Sequence, residues 1–180
     1  YNMIDRMYIG HIEYVGDIAL TGVGVTMPLI MAVSAFAALV SMGGAPRASI
    51  MMGRKQNDVA EKILGNSAAL LILIALISTF IILVFGYDLL LLFGASENTI
   101  LYAWDYMKIY AVGTIFVQLT LGLNAFISTQ GFASISMRTT LIGAIMNILL
   151  DPIFIFVFDM GVSGAALATI LSQAISCVWV

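Results

Sequence analysis

The sequence predicts an all-α, polytopic membrane protein built as a bundle of six transmembrane helices. Its composition is the first reason, because 62% of the 180 residues are hydrophobic and only 9% are charged, whereas a soluble globular domain has about 25% charged residues. The second reason is the length of its apolar runs, since about 20 residues at 1.5 Å each cross a hydrocarbon core of roughly 30 Å. These two observations exclude a soluble enzyme.

Six segments are predicted to span the membrane, and two of them are incomplete. The first covers residues 1–11 and has the features of the last part of a helix whose beginning is missing. The other predicted spans are residues 18–42, 63–86, 100–128, 139–158 and 161–180, the last of them cut by the chain end. Because no initiator methionine, basic leader or polar tail is present, we expect the chain to be an excerpt of a longer protein. Cys177 is the only cysteine, so no internal disulfide is possible.

Basic residues predict the orientation of the chain, because Lys and Arg in short connections are retained on the cytoplasmic side of a membrane. The connection at residues 43–62 contains four of them, and the next connection on that side ends with Arg138. The opposite connections, at 13–17, 87–97 and 159–160, contain none. We therefore expect a multi-pass protein of the cell membrane whose basic connections face the cytoplasm.

The basic segment at residues 43–62 is interpreted as a topology signal, with a helix that begins at the lipid headgroups. Specific recognition of a lipid or a nucleotide is the alternative. The glycines Gly43, Gly44 and Gly53 are too sparse for a loop that cradles phosphates, and no P-loop motif follows a strand signal.

Polar side chains from three predicted spans lie at one depth when residues are counted from the outer ends of the spans. Asp5 lies six residues before the end of the first span, or about 9 Å, and Asp151 lies eight residues before Asp159, or about 12 Å. Thr169 lies eight residues into the last span and therefore also at about 12 Å. Asn147 is one turn from Asp151 on the same helix face.

Two carboxylates at one depth in a membrane need a compensating charge, because a charged side chain at the bilayer centre costs at least about 2.5–3.5 kcal/mol. We expect a cavity reached by water, in which a cation lies between Asp5 and Asp151 or one of the two carries a proton. A hard cation such as Na⁺ prefers oxygen ligands. Four side chains at this depth offer oxygen atoms to it: Asp5, Asn147, Asp151 and Thr169. A proton needs only the carboxylates.

Both acidic residues also have a purely structural interpretation. Asp151 precedes Pro152, so its carboxylate could satisfy backbone groups that a broken helix leaves free. Asp5 could pair with Arg6, although successive residues on a helix do not face each other. The common depth of the two acids favours a functional site over either alternative.

Other polar and flexible side chains are candidates for the lining of a cavity. Gln173 lies one turn beyond Thr169 and either lines the same cavity or hydrogen-bonds a neighbouring helix. Met27 and Met31 are one turn apart and could form an adaptable apolar surface for varied ligands, with ordinary packing as the alternative. Pro28 and Pro152 are expected to bend their helices.

The segment GVSGAALAT carries small residues at spacings of three and four. Gly161, Gly164, Ala165 and Ala168 therefore form one face of a helix on which another helix can pack closely. This face also carries the approach to Thr169.

Several stretches in sequence order resemble one family of transporters. The stretches are NMIDRMYIG, GGAPRASIMMGRKQNDVAEKILGNS, STQG, NILLDPIFIF and GVSGAALAT. Together they resemble the amino-terminal lobe of the multidrug and toxic compound extrusion (MATE) transporters, in the prokaryotic branch that includes the DNA-damage-inducible and staphylococcal multidrug pumps. The resemblance covers essentially the whole chain.

The resemblance implies a fold of twelve spans in two six-helix lobes, of which residues 1–180 are the amino-terminal lobe and the carboxyl-terminal lobe is absent. It also implies a site. Asp5 matches the first-span aspartate of the family, Asn147 and Asp151 match the fifth-span pair, and Thr169 matches the sixth-span threonine. A first-span proline implicated in helix bending would lie before Tyr1.

The function implied by the resemblance is secondary active antiport, in which cationic and amphipathic drugs leave the cell against an inward flow of Na⁺ or H⁺. The expected partners are drug-like molecules, the bilayer and the other lobe, without a cofactor or nucleic acid. One rival is a flippase for lipid-linked glycans, which would need a strongly basic groove, and the spans contain few Lys or Arg residues. Another is a membrane scaffold without transport. No catalytic triad, metal-ligand cluster or cofactor motif suggests an enzyme.

Overall fold

A computed structural model of the chain describes residues 2–12 and 15–180, and the regular structure within these ranges is entirely helical. In chain order the helices are α1 (Asn2–Ile9), α2 (Gly16–Val25), α3 (Met27–Gly53), α4 (Asn57–Leu92), α5 (Ile100–Thr129), α6 (Ala133–Pro152), a π-helix (Ile153–Val157) and α7 (Gly161–Trp179). Residue 1, in the first predicted span, and residues 13 and 14, in the connection predicted at 13–17, lie outside the described residues.

Five of the described helical segments are long and apolar enough to cross a membrane. They are Gly16–Gly53, Asn57–Leu92, Ile100–Thr129, Ala133–Val157 and Gly161–Trp179. The helix α1 adds eight further residues. The predicted all-α, polytopic fold is therefore confirmed, and the predicted bounds of the fourth and sixth spans agree with α5 and α7 to within one residue.

The helix α5 lies at the centre of the bundle and packs against α2, α3, α4, α6 and α7. Its residues Tyr106 and Met107 are fully buried in the main core. A Cβ atom added to Gly113 of α5 would overlap the side chain of Ile170 in α7. The absence of a side chain at Gly113 thus lets α5 and α7 approach closely.

The outer surface of the bundle is apolar, most clearly along α4. Leu73, Leu76, Phe80 and Val84 of this helix are all about half exposed or more. Such a surface would be unfavourable in water but is the one that lipid chains require. A multi-pass membrane protein follows from this surface and from the five long helices.

The connection predicted at residues 43–62 is much shorter than expected. Only residues 54–56 separate α3 from α4, because α3 continues to Gly53 and α4 begins at Asn57. The two helices contain 27 and 36 residues, which correspond to about 40 and 54 Å and therefore exceed the roughly 30 Å of the hydrocarbon core. Basic residues mark the depth of the headgroups but do not end a helix, since Lys and Arg favour helical structure.

Two of the three prolines lie next to irregular backbone. Pro28 occupies the first turn of α3, just after Thr26, which separates α2 from α3. Pro152 ends α6 and is followed at once by the π-helix. A third proline, Pro46, lies inside α3, in the segment that was expected to be a connection.

Candidate functional site

The carboxylate of Asp5 lies at the meeting point of four helices. The Tyr106 hydroxyl of α5 and the Thr169 hydroxyl of α7 each donate a hydrogen bond of 2.7 Å to Asp5 Oδ2. The Asn147 amide of α6 donates to Asp5 Oδ1 over 3.2 Å. Asp5 is fully buried, so these three donors replace the water that a carboxylate would otherwise bind.

Asn147 connects the two acidic residues. Its Nδ2 atom lies 3.2 Å from Asp5 Oδ1, 3.0 Å from Asp151 Oδ1 and 3.4 Å from Thr169 Oγ1. An amide nitrogen has two hydrogens, so the longest of these three contacts is the weakest. One side chain therefore holds both carboxylates, and the structure brings Asp5, Asn147, Asp151 and Thr169 into one cluster.

Two oxygen atoms of this cluster have no hydrogen-bond partner among the described residues. They are Asp151 Oδ2 and Asn147 Oδ1, and both side chains are fully buried. Buried polar atoms are nearly always paired with protein, water or an ion. These two oxygen atoms can therefore accept a hydrogen bond from a further donor or bind a cation.

Irregular backbone positions Asp151. Pro152 has no N–H group, and the backbone after it forms a π-helix, a feature that is frequent at functional sites. The π-helix packs tightly on α7, because a Cβ atom added to Gly164 would lie 2.6 Å from the Phe154 carbonyl oxygen. This contact involves the small-residue face predicted for GVSGAALAT, and it brings the end of α6 next to the helix that carries Thr169.

No basic side chain compensates the charge of the two acids within the described residues. The one ion pair among the described residues lies elsewhere and joins Lys108 to Asp105 over 2.5 Å. Both of these side chains are partly exposed. Arg6 does not pair with Asp5, and its Nε atom has no hydrogen-bond partner in the described chain. The same residues contain no group of three or more His, Cys, Asp or Glu side chains that could hold a metal ion.

The remaining candidates are spread over the bundle. Gln173 is buried, and no described residue hydrogen-bonds its Oε1 atom. Met27 is partly buried against the main core, whereas Met31 is 63% exposed on the outer surface. Their role in lining a cavity remains a prediction, as does the bending of the helices at Pro28 and Pro152.

Tyr106 belongs to the cluster but is missing from the predicted site. It is fully buried and donates to Asp5. A signal for it exists in the sequence, since Tyr106 lies six residues after Ile100, the start of α5, which is a depth of about 9 Å and equal to that of Asp5. An aromatic residue packs readily in an apolar core, so a tyrosine in a span does not by itself indicate a site as an aspartate does.

A membrane-embedded helical bundle that buries two neighbouring carboxylates is typical of membrane transporters, because such residues are costly in lipid and mark ion or substrate pathways. The chain belongs to the MatE family, whose model matches residues 1–153. The resemblance to the MATE transporters is therefore confirmed.

Relatives and solved structures agree with this assignment. The chain is 31% identical over 176 residues to the multidrug export protein MepA of Staphylococcus haemolyticus, a match that covers 98% of this chain and 38% of that protein. A MATE structure in the bent conformation superposes with a TM-score of 0.93 at 26% identity, covering 99% of this chain and 39% of the other. An inward-facing multidrug resistance MATE transporter of the MOP superfamily also gives 0.93 at 26% identity, with 99% and 40% coverage. The chain thus spans about two fifths of the length of the relatives it matches.

Proposed function

We propose that this chain is one lobe of an antiporter that exports cationic or amphipathic drug-like molecules in exchange for Na⁺ or H⁺. The name of its relatives, multidrug export protein, supports the class of substrate. Ion coupling is supported by one observation, the buried Asp151 Oδ2 atom without a hydrogen-bond partner among the described residues. It lies in the cluster in which Asp5 of α1 meets side chains of three other helices. The coupling ion is a co-substrate here, and no cofactor takes part.

The proposed mechanism follows from the hydrogen bonds of Asp5. This carboxylate joins α1 to α5, α6 and α7 through Tyr106, Asn147 and Thr169. A proton or cation that arrives at the two acids removes their mutual repulsion and changes the strength of these bonds. The packing of α1 against the other three helices then differs between the occupied and the empty site, and this difference supplies the two states that exchange transport requires.

Drug and ion are linked through the same states. If the ion favours the packing from which drug is released, drug binding must weaken ion binding by the same factor, because linkage is reciprocal. The two ions make different demands on Asn147. When a proton occupies the site, the amide hydrogens of Asn147 stay directed at the acids. Na⁺ requires an oxygen ligand instead, so the amide would turn and direct Oδ1 at the ion.

The decisive experiment measures drug flux by the intact protein in proteoliposomes under an imposed Na⁺ gradient and, separately, under a pH gradient. Wild-type protein is expected to respond to at least one of the two gradients. Asp151→Asn and Asp5→Asn are expected to lose that response, because an amide can neither bind a proton at neutral pH nor neutralise a cation.

The matched control is Asp88→Asn, which removes an exposed carboxylate from α4 outside the cluster. It is expected to leave the response unchanged. Gradient-driven flux that survives in both cluster variants would rule out coupling by this site. If the wild type shows drug flux under neither gradient, the membrane scaffold without transport is favoured.

A further inference from the structure

A groove of about 760 Å³ runs between α3 and α4, away from the carboxylate cluster. Most of its lining is apolar and includes Phe36, Leu39, Leu70, Ile74 and Ile77. Phe36 and Leu39 are 47% and 69% exposed, respectively. This exposure indicates that the groove opens to the surroundings of the bundle.

One end of the groove is polar and basic. Arg47, Asn66 and Ser67 lie in the lining there. Arg47 is exposed and forms no ion pair with any acid of the described residues. Its guanidinium is therefore free to bind a group from outside the chain, and its planar set of donors matches a phosphate.

The floor of the groove is formed by close contact between the two helices. A Cβ atom added to Gly44 would lie 2.5 Å from Ser67 Oγ and 2.8 Å from Phe126 Cζ, so a larger residue there would require these side chains to move. A Cβ atom added to Gly43 has no neighbour within 4 Å, and Gly43 lines the open part of the groove. The groove is therefore a slot beside a tight helix contact.

Along α3 the slot is about as long as one lipid leaflet is thick. Along α3 it extends from Phe36 to Arg47, which is about 16 Å at 1.5 Å per residue, and one leaflet contributes roughly half of a 30 Å hydrocarbon core. Along α4 it extends further, from Ile63 to Ile81. An acyl chain that starts at the level of Arg47 can thus lie in the slot as far as the middle of the bilayer.

We propose that this groove binds one anionic phospholipid, whose phosphate contacts Arg47 and one of whose acyl chains lies between α3 and α4. The segment 43–62 carries four basic and two acidic residues, and a net positive charge at the headgroups attracts anionic lipid. A free guanidinium beside a mostly apolar slot matches the phosphate and acyl chain of one lipid, which favours a lipid over another lobe or a second copy of the chain as occupant. The proposal does not depend on drug transport.

Native mass spectrometry of the intact, detergent-purified protein tests the proposal, with phosphatidylglycerol and phosphatidylcholine of equal acyl chains as probes. Wild-type protein is expected to retain phosphatidylglycerol in preference to phosphatidylcholine. Arg47→Gln is expected to weaken phosphatidylglycerol binding about five- to tenfold, as loss of one charge-assisted hydrogen bond does. Gly43→Phe fills the slot and is expected to remove the retained lipid of both kinds.

Two matched controls distinguish lipid binding in the groove from general attraction of lipid to the surface of the protein. Arg54→Gln removes the same charge between α3 and α4 but outside the groove lining, and Gly65→Phe adds the same ring at another open glycine. Both are expected to retain lipid as the wild type does. The proposal is overturned if Arg54→Gln weakens binding as much as Arg47→Gln, or if Gly43→Phe retains as much lipid as Gly65→Phe.

A contact measurement identifies the occupant. Phe36→Trp places an indole in the groove, and its fluorescence, taken as the difference from the wild type, is expected to be quenched by brominated phosphatidylglycerol in nanodiscs. Absence of quenching would mean that protein, either the other lobe or a second copy, covers the groove, and would overturn the proposal.

Discussion

Asp5 is held by three donors, and the Tyr106 hydroxyl is the one whose role can be isolated. Its bond to Asp5 Oδ2 is 2.7 Å long and fully buried. Hydrogen bonds to charged groups contribute about 1.5–3 kcal/mol, so this phenol has a large share in the environment of the carboxylate. Its ring also stacks on Tyr110, with centroids 6.2 Å apart, and this packing does not require the hydroxyl.

Tyr106→Phe is therefore expected to keep the fold and to change the coupling. The ring still fills the core, but Asp5 loses one of its two short hydrogen bonds. We expect the ion concentration for half-maximal drug flux to change by about tenfold or more, since 1.4 kcal/mol corresponds to a factor of ten. The measurement is drug flux by the intact protein in proteoliposomes as a function of Na⁺ concentration and of pH.

The matched control is Tyr110→Phe, on the same helix and one turn away. The Tyr110 hydroxyl makes no hydrogen bond to any described residue, although the ring is buried. This variant is expected to leave the half-maximal ion concentration within about twofold of the wild type. Equal shifts in the two variants would show that the Tyr106 hydroxyl does not act through Asp5.

Most of the cluster could be predicted from the sequence because a helix has a fixed rise. Counting residues from the ends of the spans placed Asp5, Asp151 and Thr169 at one level, and the structure joins these side chains through Asn147. Depth does not specify direction around the helix axis. For that reason the count could not show that Asn147 bridges both acids.

The elements around the site are held by a contact between the π-helix and α7. A Cβ atom added to Gly164 would lie 2.6 Å from the Phe154 oxygen and 3.0 Å from the Ile155 nitrogen. Both of these are backbone atoms, which cannot move aside as the end of a side chain can. The position of Asp151 relative to Thr169 thus depends on the small size of residue 164.

Gly164→Ala is expected to lower the free energy of unfolding of the intact protein by about 1–3 kcal/mol, the usual cost of overpacking. Because the π-helix must shift, gradient-driven drug flux is expected to fall together with thermal stability in detergent. Gly65→Ala is the control, since its new Cβ atom meets nothing within 4 Å and alanine favours a helix more than glycine does. Equal stability of the two variants would contradict the proposed tight contact.

The existence of the helices was easier to predict than their ends. The bounds of α5 agree with the sequence because turn residues flank its apolar run, whereas α3 and α4 continue through most of the basic segment, since Lys and Arg favour a helix. Pro46 lies inside α3 without ending it. Pro152 signals irregular backbone at this point, but the close approach of Gly164 to Phe154 in the π-helix at Ile153–Val157 joins two helices and is not encoded by a local pattern.

The carboxylate cluster and the basic end of the groove lie near opposite ends of the bundle. Asp5 is four residues from the end of α1 and Thr169 is eight residues from the start of α7, so the cluster is about 6–12 Å from one face. Residues 54–56 form the connection at the other face. If the basic connections are cytoplasmic, the coupling ion reaches the cluster from outside the cell, as inward flow of the ion requires.

The orientation of the whole molecule can be tested by cysteine labelling in intact cells. In a cysteine-free background of the intact protein, which includes Cys177→Ser, Gln56→Cys marks the basic connection between α3 and α4, and Asn98→Cys marks the opposite connection between α4 and α5. Both positions are exposed. A membrane-impermeant maleimide is expected to label the Asn98→Cys protein in intact cells and the Gln56→Cys protein only after permeabilisation, because basic connections are retained in the cytoplasm. The reverse pattern would place the carboxylate cluster at the cytoplasmic face, and an inward-flowing ion could then not load it from outside as the proposed exchange requires.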